Sequence, residues 1–441
     1  MTTNNNAVIH EAASASIYDS PDYKRSRKAY IAMCTFEYFV SILVTDAFLA
    51  KLLTHIGISD SLIGIISSLV SFSFLFQLLA ILLMSHLRNT KKTVIFFETL
   101  SQLFFLSVYL IPLLPFSVTV KTILVISCIL MAYLCKYLVS SLCFKWANSY
   151  VDPTRRGEYS AVKERISLLG GIIFTLAAGY VIDHYESLDN LQGGFLFFAA
   201  AMLILNICNF ISLYLIKNES KKQIAAEKKT AKEVLQNTLG NKSFVNIIIL
   251  TSLWDIGRYV TNGFLGTFKT SDLLLSVGTV QLINMVANLF RLFASKPFGR
   301  FSDRTSYARG FRMALTLTAC AFAAIIFCTP NTRWCIVIFT ILFHVSMAGI
   351  NQNNFNITYS YVKSDYIVQA MAIKQSIAGV IGFCASLIGS RILSGIQAAG
   401  NTFLGIPMYG QQLLAAISLV FILAAIIFCK VVIEKQKCMV Q

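Results

Sequence analysis

The sequence Val44-Thr45-Asp46-Ala47-Phe48-Leu49-Ala50 returns in the second half of the chain as Val260-Thr261-Asn262-Gly263-Phe264-Leu265-Gly266. Each copy lies in the first apolar segment of its half. A second set of matches keeps its order and spacing in both halves: Ser149-Tyr150-Val151 followed by Ala161-Val162-Lys163, and Ser360-Tyr361-Val362 followed by Ala372-Ile373-Lys374. These repeats indicate an internal duplication, in which both halves carry the same parts in the same order.

The composition is that of a polytopic membrane protein. Of the 441 residues, 56% are hydrophobic and only 13% are charged, which is too apolar for a soluble globule of this length. A helix needs about 20 apolar residues to cross a bilayer core. Twelve apolar runs are long enough, six in each half: near residues 29–53, 62–84, 94–114, 120–147, 162–183, 194–217, 244–268, 273–295, 311–329, 334–360, 370–396 and 411–433. The sequence predicts an all-α membrane protein of twelve transmembrane helices, named spans 1 to 12 below, in two pseudo-symmetric six-helix bundles.

Two repeats of six spans favour one class of function. One group of secondary transporters is built from such duplicated halves, and its substrate sites lie near the bilayer midplane between two bundles that rock against each other. The duplication therefore points to transport.

Basic residues divide the chain and orient it. The predicted divisions are a polar N-terminal tail (1–28), a first bundle (29–217), a basic cytoplasmic linker (218–243), a second bundle (244–433) and a C-terminal tail (434–441). Most of the 37 Lys and Arg residues fall in the tails, the linker and alternate loops, which by the positive-inside rule places both termini in the cytoplasm. Five are assigned to outer loops and helix ends: Lys51, Lys121, Lys269, Arg333 and Arg391.

The net charge of +16 is thus mainly a topology signal, and it is no argument for a nucleic-acid partner. We expect a monomeric, multi-pass protein of the plasma membrane that is surrounded by the lipid bilayer. The 11 Cys residues are scattered without paired or metal-like spacing, and no nucleotide loop or serine nucleophile elbow is present. No enzyme activity, catalytic residue, metal or cofactor is therefore expected.

A loop between spans 8 and 9 carries a known signature. It reads Lys296-Pro297-Phe298-Gly299-Arg300-Phe301-Ser302-Asp303-Arg304, and it resembles the Gly-x-x-x-Asp-Arg loop of the major facilitator superfamily. The corresponding first-half loop has Ser85 for the glycine and Asn89 for the aspartate. The resemblance implies two bundles that alternate access to a central cavity, with no particular substrate.

The same resemblance implies a conformational latch formed by Gly299, Asp303, Arg304 and Lys163. Glycine lets two helices approach closely, and an aspartate is favoured at a helix N-terminus. The family's arrangement across the two halves places Asp303 near the start of span 5, around Glu158 to Lys163. The alternative is a solvated loop charge.

Ionisable and amide side chains within the spans are the best pointers to a site, because such groups usually face a bundle interior or a water-filled cavity. On span 7, Asp255, Arg258 and Asn262 share one face, and Asp255 can pair with Arg258. Asn262 is the repeat partner of Asp46, so both are expected to face the central cleft.

Two further spans carry polar stripes. Span 8 presents Gln281, Asn284, Asn288 and Arg291 on one face, and span 10 presents His344, Asn351, Asn354 and Thr358. Stripes rich in amides suit a polar solute. The alternative is that these groups form hydrogen bonds between helices and line no cavity.

Two intramembrane charges leave alternatives open. Glu37 lies two and a half turns before Asp46 on span 1 and so faces the opposite side. It is either a buried, hydrogen-bonded carboxyl or a protonatable coupling group. Lys136 on span 4 is either a cation of the site or the partner of a carboxylate on span 1 or 7.

The resulting prediction is a secondary active transporter that moves a small polar organic solute, sugar-like or similar, by alternating access. The predicted substrate-binding residues are Asp46, Lys136, Asp255, Arg258, Asn262, Gln281, Asn284, Asn288, His344, Asn351 and Asn354. A coupling proton or sodium ion is expected at Glu37, Asp46 or Asp255. The alternatives are multidrug or organic-anion efflux and, in another class, a non-transporting membrane sensor or scaffold.

Overall fold

Long helices form almost all of the computed structural model, which describes residues 18, 20–79, 90–151, 156–218, 236, 238–362 and 366–436. The first half contains span 1 as a pair of helices, followed by spans 2 to 6: Pro21–Leu43 with Asp46–Ile56, Asp60–Ser73, Thr90–Leu110, Val118–Asn148, Arg156–Ser187 and Leu191–Leu215. The second half repeats this order as spans 7 to 12: Lys242–Asn262 with Leu265–Thr267, Val277–Arg304, Tyr307–Ile326, Trp334–Tyr361, Ile367–Ala398 and Gly410–Val431. A π-helical turn, Phe268–Asp272, connects span 7 to span 8, and two short antiparallel strands, Thr402–Phe403 and Ile406–Pro407, connect spans 11 and 12.

Within the described residues, ten helices are long and apolar enough to cross a membrane, and the bent pair of span 1 raises the number to eleven. The helix Lys242–Asn262 of span 7 is the remaining predicted span. It carries Asp255 and Arg258 among its apolar residues, and this lowers its hydropathy. The predicted all-α membrane fold of two pseudo-symmetric bundles is confirmed.

Both copies of the duplicated stretch interrupt a helix. Span 1 bends by 43° between its two helices, and Asp46, the first residue of the second helix, has a left-handed backbone with φ 46°. Aspartate and asparagine tolerate this conformation better than most residues. Span 7 breaks at nearly the same point of the repeat, after Asn262.

The two breaks pack against each other. Ala50 and Gly266 are repeat partners, and a Cβ atom added to Gly266 would lie 2.9 Å from the Cβ of Ala50. The duplicated segments therefore meet where the pseudo-twofold axis between the halves passes.

The ends of the molecule can be named by the chain. The linker end is the end from which the chain leaves span 6 after Leu215 and enters span 7 at Lys242, and the far end is the opposite one. Polar contacts between the halves cluster at the far end and in the middle. Apart from the contacts of Asp46, which are described with the cavity, they run from span 2 to span 11 and from span 5 to span 8: Gln397 Nε2 to Asp60 Oδ2 (3.0 Å), Ser390 Oγ to Ser61 O (3.1 Å), Ser71 Oγ to Gly379 O (2.7 Å), Ser376 Oγ to Phe74 O (2.8 Å) and Gly278 N to Asp183 Oδ2 (2.8 Å).

The linker end differs. Among the side chains that the structure describes in spans 4, 5, 10 and 11, no hydrogen bond or ion pair joins the two halves. Of the described polar contacts between the halves, the one nearest this end joins Arg291 Nη2 of span 8 to Glu164 Oε1 of span 5 at 4.0 Å. The described polar contacts between the halves therefore lie mainly at the far end and in the middle of the molecule.

Candidate functional site

A cavity of about 380 Å³ lies between the two halves, bounded mainly by spans 1, 2 and 5 on one side and spans 7, 8 and 10 on the other. Seven residues predicted to bind substrate line it: Asp46, Arg258, Asn262, Gln281, Asn284, Asn288 and His344. Further polar residues on its wall were not predicted: Tyr38, Ser41, Thr45, Ser67, Ser68, Thr175, Tyr259, Lys269 and Thr340. The structure therefore brings most of the predicted binding residues together.

An ion pair between the halves borders the cavity towards the far end. Lys269 Nζ donates to both carboxylate oxygens of Asp46, each at 3.0 Å. Asn284 Nδ2 donates to Asp46 Oδ2 at 3.1 Å and to Gln281 Oε1 at 3.2 Å. The Lys269 side chain is 8% exposed and that of Asp46 is 31% exposed, so the lysine is deeply buried and the carboxylate faces the cavity.

Local structure explains why these two charges meet. Asp46 starts the second helix of span 1, where a carboxylate is favoured by the unpaired N–H groups and the helix dipole. Lys269 lies in the π-helical turn after span 7. This turn follows the break in span 7 and keeps Lys269 buried at the cavity.

Arg258 and Asn262 form the opposite, linker-side part of the span 7 wall. Arg258 makes no ion pair within 4 Å in the described part of the chain, and its guanidinium Cζ lies 5.0 Å from the centre of the Tyr259 ring. Arg258 Nε and Asn262 Oδ1 are buried atoms without a hydrogen-bond partner among the described residues. Buried polar atoms are usually satisfied by protein, water or ligand, so Arg258 and Asn262 keep hydrogen-bonding capacity that no described residue uses.

The predicted pairing of Asp255 with Arg258 is not formed. Asp255 is only 8% exposed and does not line the cavity. A Cβ atom added to Gly382 would lie 3.3 Å from the Asp255 Cβ, so Asp255 packs towards span 11. The spacing along the helix predicted that Asp255 and Arg258 share a face. The rotation of span 7 places Asp255, at the edge of that face, against span 11.

The polar stripe of span 8 divides in the same way. Gln281, Asn284 and Asn288 face the cavity, whereas Arg291 lies one turn nearer the linker end and approaches Glu164. Asn288 is half-buried and makes no hydrogen bond to any described residue. Its amide therefore lines the cavity without a partner among the described residues.

Only the far-end part of the span 10 stripe reaches the cavity. His344 lines it, with Nδ1 2.8 Å from the carbonyl oxygen of Thr340. Asn351 lies two turns nearer the linker end and is exposed. Asn354 lies nearer still to that end and outside the cavity.

Asn354 instead binds a lysine that sequence reasoning did not use as a site residue. Lys374 of span 11 is 3% exposed, and its Nζ donates to Asn354 O at 3.1 Å, Asn354 Oδ1 at 2.9 Å and Thr358 Oγ1 at 2.8 Å. The repeat had marked Lys374 as the partner of Lys163, which was the available signal. The amides of this part of span 10 thus hold a buried charge.

Lys136 and Glu37 also lie outside the cavity, because they satisfy each other within the first bundle. Lys136 Nζ lies 2.5 Å from Glu37 Oε1, which corresponds to the alternative of a pair with a carboxylate on span 1. Glu98 of span 3 is buried close to this pair, and its Oε2 has no hydrogen-bond partner among the described residues. The three residues form a charged cluster inside one bundle.

The residues of the predicted latch that the structure describes are Gly299, Asp303, Arg304 and Lys163. A Cβ atom added to Gly299 would lie 2.8 Å from Gln352 Nε2 of span 10, so the glycine allows close packing within its own half. Asp303 and Arg304 are exposed and make no polar contact to the described residues of the first half. Lys163 lies over the Tyr30 ring, 5.4 Å from its centre. The latch stays a prediction, and the side chain of Glu158 lies outside the described residues.

Comparisons with known proteins agree with this architecture. The fold is similar to that of the nucleoside transporter NupG, with a TM-score of 0.68, 12% identity, and coverage of 95% of this chain and 100% of that one. It is similar to an auto-inhibited peptide transporter of the POT family, with a TM-score of 0.71, 11% identity, and coverage of 95% and 98%. It is also similar to a bacterial homologue of the human lysosomal transporter Spinster, with a TM-score of 0.64, 14% identity, and coverage of 93% and 97%.

These identities show the fold alone. No curated protein matches the sequence. The family model described as Major Facilitator Superfamily, however, matches residues 31–386, which is most of the chain. The chain belongs to the major facilitator superfamily.

Proposed function

We propose that this protein is a secondary active transporter that moves a small polar organic solute through the cavity between its halves by alternating access. The observation that carries the proposal is the cavity itself, which lies at the interface of the duplicated halves and is lined by amides and charges from both. Solutes named for structurally similar transporters differ, with nucleosides, peptides and iron among them. The lining residues are therefore the better guide to the solute.

The arrangement of contacts supports a state in which the cavity is accessible from the linker end. The halves are bridged on the far side of the cavity by the Asp46–Lys269 pair, whereas the described side chains of spans 4 and 5 make no polar contact to the described side chains of spans 10 and 11. We assign the linker end to the cytoplasm, because cytoplasmic regions of membrane proteins are enriched in Lys and Arg. Transport then requires that the Asp46–Lys269 pair separates when the far end opens.

Asp46 is the coupling carboxylate that the geometry favours. Of Glu37, Asp46 and Asp255, only Asp46 lines the cavity and also joins the two halves. Binding of a proton or a sodium ion at its carboxylate would weaken the bond to Lys269 and so link ion binding to opening of the far end. The left-handed backbone at Asp46 agrees with a functional role, because such conformations cluster at functional sites.

The test is solute flux into proteoliposomes that contain the purified full-length protein. A panel of sugars, organic acids and nucleosides is measured with and without an imposed proton or sodium gradient. We expect saturable, gradient-driven flux of at least one solute, and loss of the gradient dependence in Asp46→Asn. Asp189→Asn is the matched control, because Asp189 is exposed in a far-end loop and also has a left-handed backbone, with φ 53°.

Two results would count against the proposal. Gradient-driven flux that persists unchanged in Asp46→Asn would remove the coupling role of this carboxylate. Absence of flux across the panel, together with far-end segments that never gain hydrogen–deuterium exchange, would favour the sensor or scaffold alternative.

A further inference from the structure

We propose that the solute is a small organic anion with one carboxylate and several hydroxyl groups, and that Arg258 binds its carboxylate. This inference rests on the proposed function, because it takes the cavity as the substrate site. Three features of the cavity support it: the uncompensated charge of its wall, the two buried atoms without partners among the described residues, Arg258 Nε and Asn262 Oδ1, and the amides of span 8.

The first feature is the charge of the wall. The acidic and basic side chains that line the cavity are Asp46, Arg258 and Lys269. Asp46 and Lys269 neutralise each other through two bonds of 3.0 Å. Arg258 is left without an ion pair in the described part of the chain, so the lining carries one net positive charge.

The charges behind the wall on spans 8 and 11 and on the outer face of span 7 do not change this sum. Asp255 lies close to both Arg258 and Lys374, and the buried Asp255 and Lys374 are of opposite sign. Arg291 is matched by Glu164 at 4.0 Å, and protonation of His344 would only add positive charge. A buried charge within a membrane is costly unless it is paired or hydrated, so a bound anion of charge minus one would complete the site.

The second feature points to where the anion binds. A guanidinium presents two parallel N–H donors to a carboxylate, and this geometry gives both strength and specificity. Arg258 lines the cavity, and its Nε is a buried donor without a partner among the described residues. Asn262 Oδ1, one turn along the same helix face, is an acceptor that also lacks a partner there. A carboxylate has no proton to donate to that acceptor, whereas a neighbouring hydroxyl group has one.

The third feature explains the further hydroxyl groups and the size. Asn288 is half-buried with its amide open to the cavity, and Gln281 and Asn284 lie beside it on span 8. Amides both donate and accept hydrogen bonds and therefore match hydroxyl groups, which do the same. A volume of about 380 Å³ is near the lower limit of ligand pockets. Tyr38 and Phe343 supply apolar surface for the carbon chain.

The experiment compares neutral and anionic forms of one carbon skeleton. Full-length protein in lipid nanodiscs is titrated with glycerol against glycerate and with glucose against gluconate, and glucose 6-phosphate serves as a dianion. We expect each carboxylate to bind at least about tenfold more tightly than its neutral counterpart, which is the discrimination that one charged hydrogen-bonded contact gives. Glucose 6-phosphate should bind more weakly than gluconate.

Three variants assign the preference to Arg258. Arg258→Gln should reduce the carboxylate-to-neutral ratio of affinities to about one. Arg258→Lys keeps the charge but loses the paired donors, so it should give an intermediate ratio. Arg391→Gln removes an arginine from an exposed position on span 11, outside the cavity, and should leave the ratio unchanged. Far-end hydrogen–deuterium exchange like that of the wild type verifies that each variant is folded.

The outcomes separate this inference from the proposed function. A wild-type protein with no carboxylate preference on any skeleton, including one that binds no member of the panel, overturns the proposed solute class. So does a preference that survives in Arg258→Gln. Flux of neutral solutes in the proteoliposome assay would then leave transport standing. Conversely, Arg258-dependent carboxylate binding without any flux would support the site and overturn the transport proposal.

Discussion

Spans 1 and 7 began as copies of one sequence, and they now differ in their charges. Span 1 carries Asp46 where span 7 carries Asn262, and Lys269 stands at the position equivalent to Leu53. The pseudo-twofold axis allows two equivalent ion pairs across the interface. Only one of the two equivalent positions holds an ion pair, between Asp46 and Lys269, because the other holds Asn262 and Leu53.

The difference between spans 1 and 7 shows what duplication and what later divergence contributed to the structure. Duplication supplied the shape, since both helices break within the repeat and meet at Ala50 and Gly266. Divergence supplied the asymmetry, since one position holds a carboxylate that binds the other half and the equivalent position holds an amide that lines the cavity. A symmetric cavity has no preferred orientation for a solute, whereas this one separates an ion pair on the far side from Arg258 on the linker side.

The strongest test of this asymmetry is a substitution that gives span 1 the uncharged residue that span 7 carries at the equivalent position. Asp46→Asn should destabilise the protein by about 3–5 kcal/mol, because it leaves Lys269 buried without its counter-ion. Asparagine tolerates the left-handed backbone at this position, so the loss would report the charge. The measurement is the free energy of unfolding in detergent.

The double variant Asp46→Asn with Lys269→Leu is the decisive comparison, because leucine is the residue that span 1 carries at the equivalent position. It should recover most of the lost stability, since replacing both partners of a buried pair is far less costly than removing one. Losses that simply add in the double variant would show that the two side chains are not energetically coupled. Asp189→Asn again serves as the exposed control.

These residues show how much of the candidate site could be predicted from the sequence. The amides of span 8 were predicted correctly as one face, because helical periodicity survives folding whatever the neighbours are. Lys269 was assigned to the outer side, because it follows the apolar run, and only the break in span 7 and the π-helical turn keep it at the cavity. Asp255 and Asn354 were predicted to face the solute, but helix rotation and the buried Lys374 determine their partners. The rotation of a helix and the position of a buried lysine depend on tertiary packing, which a single sequence does not show.

The contact of the two copies can be broken sterically. Gly266→Ala restores the residue that span 1 has at this position, but the new Cβ atom would lie 2.9 Å from the Ala50 Cβ and 3.0 Å from the Asp46 carbonyl oxygen. We expect a loss of about 2–3 kcal/mol and faster hydrogen–deuterium exchange in residues 46–56 and 265–272. The control is Gly395→Ala, since no atom lies within 4 Å of the added Cβ there. Equal effects of both substitutions would argue against the close contact.

A smaller effect is expected where the charged cluster lies inside one bundle. Glu37→Gln removes the partner of Lys136, but the buried Glu98 remains close to the lysine. The expected loss of stability is about 2 kcal/mol, with solute affinity unchanged because Glu37 does not line the cavity. A combined loss of solute binding and proton coupling in this variant would move the coupling site from Asp46 to Glu37.

The smallest effect is expected at the far end, in the turn between spans 7 and 8. Burial, with the nearby Asp60 carboxylate of the other half as a second cause, raises the pKa of Asp272 from 3.8 to about 6. Because the folded protein holds this proton more tightly than the unfolded chain, the group contributes stability that is fully present below about pH 4 and is lost as the pH rises through 6. Stability at pH 5 should therefore exceed that at pH 7 by a larger margin in the wild type than in Asp272→Asn. An unchanged pH profile in that variant would mean that neither burial nor the Asp60 carboxylate makes the stability of the folded protein depend on protonation of Asp272.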